Sequence, residues 1–187
     1  LPWYGENLTH LVGGVARSEA ERISLRGDLP VDERDFVREV VDAVGKEFAF
    51  TPAQLAAVTA PGDADAAAGS WGRVRTVLAA VDAYVPGMTG ATVAFVAREC
   101  FGYLTDARLR QMIDDGVATA GKSDGPVVVL GHSLGAVIAY HVLRAHPEAE
   151  SWNVPLFLTM GAPLAWAPVV RALGRLETRR MPSPVRT

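Results

Sequence analysis

Residues 126–140, PVVVLGHSLGAVIAY, pass from a β-branched apolar run through Gly-His-Ser-Leu-Gly into a helix-forming run. β-Branched residues fit an extended backbone, and the stretch after the second glycine has the length and composition of a helix. A chain that turns from strand to helix within one residue holds that residue in a sparsely populated conformation and lifts its side chain clear of the sheet. Ser133 is that residue, and it is the candidate nucleophile. Residues 127–130 are expected to be its buried, rigid support, with Gly131 and Gly135 leaving room for the bend.

A serine hydroxyl attacks a carbonyl only with a general base, a group that orients the base, and donors for the oxyanion. The backbone N–H of Leu134, at the start of the following helix, is the candidate oxyanion donor, helped by the helix dipole. The base is harder to find. His132 adjoins the serine and is expected to pack or hydrogen-bond beside the sheet. His141 and His146 lie 8 and 13 residues beyond Ser133, which at ~1.5 Å per residue places them roughly 12 and 20 Å down the helix, out of reach. His10 precedes the serine and reads as a surface or core residue. The carboxylates Asp106, Asp114, Asp115, Asp124, Glu148, Glu150 and Glu177 read as solvated faces and turns. No metal-ligand spacing occurs, and Gly13-Gly14 is too little for a phosphate loop, so no metal and no cofactor are expected.

The remaining periodicity is mostly helical. Phe36, Val37, Val40, Val41, Val44 and Phe48 recur every three to four residues, predicting an amphipathic helix over 32–48. Thr51-Pro52 caps a short helix in the Ala-rich stretch 51–69, which breaks at Pro61-Gly62-Asp63. Ser70 is expected to cap a helix over 71–84, ended by Pro86-Gly87; further helices are expected over 92–101 and from Thr105 to about Ala120. Trp71, Tyr84, Phe95 and Phe101 read as core residues at helical spacing, with an acyl-pocket lining as the alternative. Residues 121–125 form a turn into the serine strand. His146-Pro147 ends the serine helix, and residues 154–160 (VPLFLTM) read as a second buried strand, parallel to and beside the first through a right-handed βαβ crossover. Trp166 to Leu173 is a short helix. The first residues, through Tyr4, read as the tail of a strand, and the basic, proline-containing end as poorly ordered.

The 187 residues fit one domain, 1–187, with 28–120 a mainly helical cap or cover. A net charge of -3 provides no basic field for a phosphate backbone, so nucleic acid is excluded as a partner. The single cysteine, Cys100, cannot form an internal disulfide and reads as a buried small hydrophobe. No secretory signal and no ~20-residue apolar span is apparent, which makes cytoplasmic the expected location.

GHSLGAVIAYHVL followed by PLFLTMGAPL resembles the α/β-hydrolase superfamily. The second segment is similar to one of the form VTLGSPLG in bacterial members, and Trp3-Tyr4-Gly5-Glu6 is similar to a Tyr-Gly-Asp segment that ends an earlier strand there. The resemblance covers about 123–168, with weaker likeness over 1–8 and 98–112. It implies an α/β fold, a parallel sheet with flanking helices and a large helical segment before the serine strand. It also implies Ser133 as nucleophile, the Leu134 amide as oxyanion donor, and a small acyl ester as substrate. The family's second oxyanion loop would lie before Leu1, and its acid and histidine after Thr187, so the chain reads as a hydrolase cut short. The alternatives are a non-catalytic interaction module that keeps the fold, or an acyltransferase or thioesterase using the same serine.

Overall fold

The structure, a computed structural model, describes residues 29–59 and 70–176. The readings that concern the N-terminal strand, His10, Gly13-Gly14, the break at 61–63, Glu177 and the basic tail lie outside the described residues. What is described is mostly helical with one small parallel sheet, in two compact units that divide between Phe101 and Gly102.

In the first unit, α1 (Val31–Glu47) buries Val37, Val40, Val41 and Val44 on one stripe, with Asp32 and Glu33 in its first turn, where the helix dipole favours them. Helix α2 (Pro52–Val58) is fixed by a capping box: Thr51 Oγ1 accepts from Gln54 N–H at 3.2 Å, and Gln54 Oε1 accepts from Thr51 N–H at 2.9 Å. Helix α3 (Ser70–Tyr84) packs on α1 and α2. It already includes Ser70 as a helical residue, where a cap was expected. The chain then turns at Pro86-Gly87 into α4 (Gly90–Thr105), which starts two residues earlier and ends four later than its sequence signal. Its start is held against α3: Gly90 N–H donates to Asp82 Oδ1 at 2.9 Å, and a Cβ at Gly90 would lie 2.5 Å from Leu78 O. Cys100 is fully buried, as expected. Tyr84 and Phe95, expected in the core, are instead 39% and 37% exposed.

The second unit begins within α4 and continues through α5 (Ala107–Gly121), β1 (Val128–His132), α6 (Leu134–Ala145), a 3₁₀ turn at Pro147–Ser151, β2 (Leu156–Met160), a 3₁₀ turn at Pro163–Ala165 and α7 (Ala167–Leu176). Helix α5 starts after Asp106, whose side chain accepts from Arg108 and Leu109 N–H at 2.9 and 3.0 Å; Thr105 closes α4 instead. Strands β1 and β2 pair in parallel, Val128 opposite Leu156 through His132 opposite Met160, with α6 as the crossover. Helix α6 lies against β1 and buries Leu134, Ala136, Val137, Ile138, Ala139, His141, Val142 and Leu143. His146 N–H closes it on Val142 O at 2.9 Å, and Pro147 prevents continuation.

The sheet departs from expectation in its burial. Side chains alternate along each strand, and the face opposite α6 carries Val128, Leu130, Leu156, Leu158 and Met160, all exposed; Leu130 is 62% and Met160 55% exposed. The support at 127–130 is therefore only partly covered, through Val127 and Val129, and the strand at 156–160 is largely exposed, with Phe157 alone partly covered.

Candidate active site

Ser133 sits between the last residue of β1 and the first of α6 with φ 52° and ψ -127°, one of two non-glycine residues of positive φ among those described. A side chain there costs about 1–3 kcal/mol, and it persists because both ends of the residue are fixed. Its N–H donates to Met160 O at 3.0 Å, and its C=O accepts from Ala136 N–H at 3.0 Å. The first bond extends the β ladder by one residue and the second opens the helix, so the bend falls on Ser133 alone.

The two glycines of the motif do different work. A Cβ at Gly131 would lie 2.5 Å from Ala136 Cα and 3.0 Å from Ala136 N, so only glycine lets α6 fold back this closely on β1. A Cβ at Gly135 would meet nothing within 4 Å. The bend requires the first glycine sterically and not the second.

The Ser133 side chain is partly exposed and makes no cap bond to α6. Among the described residues its Oγ has no hydrogen-bond partner. The N–H of Leu134 is one of the helix-start donors that no intrahelical carbonyl takes. Gly161, just after β2, has φ 53°, and a Cβ there would stand 3.8 Å from His132 Nε2. His132 is therefore beside the β2 exit and exposed, not packed against the sheet. It lies on the uncovered face because it shares the alternation of Val128 and Leu130.

The other histidines sit elsewhere in this unit. His146 stands at the junction of α6 and the 3₁₀ turn, with Nε2 3.2 Å from Asp115 Oδ1 and Nδ1 accepting from Glu148 N–H at 3.3 Å. His141 is buried, its Nε2 3.6 Å from Asp114 Oδ2. Tyr103 Oη donates to Asp114 Oδ1 at 2.7 Å, and the Tyr103 ring meets the His141 ring edge-on at 6.0 Å. Asp114 is thus not on a solvated face, as expected from sequence, but joins α4, α5 and α6 in a buried polar cluster.

Electrostatics in this cluster favour neutral forms. Burial pushes the Asp114 carboxyl up to about 6, against the Tyr103 hydrogen bond and the charges of Arg110 and His146; Asp115 adds to the rise. Burial, helped by the charges of Arg110, Arg144 and His146, lowers His141 to about 4. The sequence signal for the cluster was faint: Asp114 falls one residue after Ile113 and four before Ala118, on the buried stripe of α5. Among the described residues no group of three or more His, Cys, Asp or Glu could hold a metal ion.

No protein-family model, curated protein or solved structure matches the chain. Among the described residues no helix is long and apolar enough to cross a membrane.

Proposed function

We propose that this protein is a serine hydrolase of the α/β-hydrolase type that acts on carboxylic esters in the cytoplasm. Ser133 Oγ gives up its proton to a general base and attacks the acyl carbonyl; the Leu134 N–H takes the oxyanion, which collapses with loss of the protonated alcohol to a serine ester, and water hydrolyses that ester to the carboxylic acid and free serine. The observation that carries this reading is the backbone of Ser133: φ 52° and ψ -127° at a strand-to-helix bend, tied to Met160 O and Ala136 N. A strained conformation at a residue whose hydroxyl makes no cap bond supports a role beyond folding. The substrate is a small acyl ester. Transfer to another acceptor, as in an acyltransferase or thioesterase, uses the same serine and differs in what deacylates it.

A second reading, a non-catalytic interaction module on the same fold, is favoured by one observation: no histidine among the described residues is hydrogen-bonded to Ser133 Oγ. Treatment of the full-length protein with a fluorophosphonate separates the two. Covalent label on the Ser133 peptide, lost in Ser133→Ala, supports the hydrolase. A folded protein that takes no label at Ser133 eliminates it and leaves the module.

A further inference from the structure

We draw no further inference here: the strongest candidate, the buried side-chain cluster of Tyr103, Asp114 and His141 between α4, α5 and α6, carries nothing, because as a pH-sensitive device it would rest on the shifted ionisation of Asp114 and His141 alone.

Discussion

The backbone N–H of Ser133 donates to Met160 O at 3.0 Å, so the residue at the bend is held by the last residue of the neighbouring strand. Residues far apart in sequence thereby fix one φ angle. Because the bond uses backbone atoms, the bend should survive loss of the serine side chain, and the strain should not.

Ser133→Gly removes the Cβ that φ 52° disfavours, whereas Ser133→Ala keeps it. After the entropy cost of glycine is subtracted, the Gly variant should be more stable than the Ala variant by about 1 kcal/mol. Urea unfolding of the two variants measures this; equal midpoints would mean that the bend is not strained.

Gly131 and Gly135 should respond oppositely to alanine. Gly131→Ala places a Cβ 2.5 Å from Ala136 Cα and should cost about 1–3 kcal/mol by forcing α6 away from β1. Gly135→Ala enters open space in a helix and should be neutral or stabilising by up to about 1 kcal/mol. Thermal melts of both variants suffice to compare them.

Asp114 and His141 should cancel in the pH dependence of stability. Between about pH 4 and 6 the folded protein holds a proton on Asp114 that the unfolded chain releases, so this group makes stability fall as pH rises. Over nearly the same range the folded protein keeps His141 neutral while the unfolded chain protonates it, so this group makes stability climb. Asp114→Asn, which can still accept from Tyr103 Oη, removes the falling limb; its stability should climb from pH 4 to 6.5 by more than that of the wild type. His141→Leu should show the reverse, falling from pH 4 to 6. Urea midpoints across that range are the measurement, and parallel curves for all three proteins would refute the account.

Cys100 should be inert in the folded protein. It is fully buried, and burial, with Glu99 beside it, raises its thiol far above the ordinary range. A small thiol reagent at pH 8 should modify it only as fast as the protein unfolds, with the rate rising in urea.

Features that depend on a few adjacent residues were legible in the sequence. The bend at Ser133, the cap at Thr51, the stop at His146-Pro147 and the parallel pairing of the two strands all follow from local chemistry and the right-handed crossover rule. The helix expected from Thr105 begins instead at Ala107, because the Asp106 side chain, the stronger cap, accepts the helix-start N–H groups. Asp114 was misread because its partners, Tyr103 and His141, come from two other helices and nothing beside it in sequence names them.

By itself the sequence determined where the chain turns from strand to helix, and hence which hydroxyl stands at the bend, because that outcome rests on backbone sterics within a few residues. Which apolar face is covered and which carboxylate is buried were decided only by tertiary structure. Burial belongs to the whole arrangement of elements, and an alternating strand reads the same whether or not anything lies on its second face.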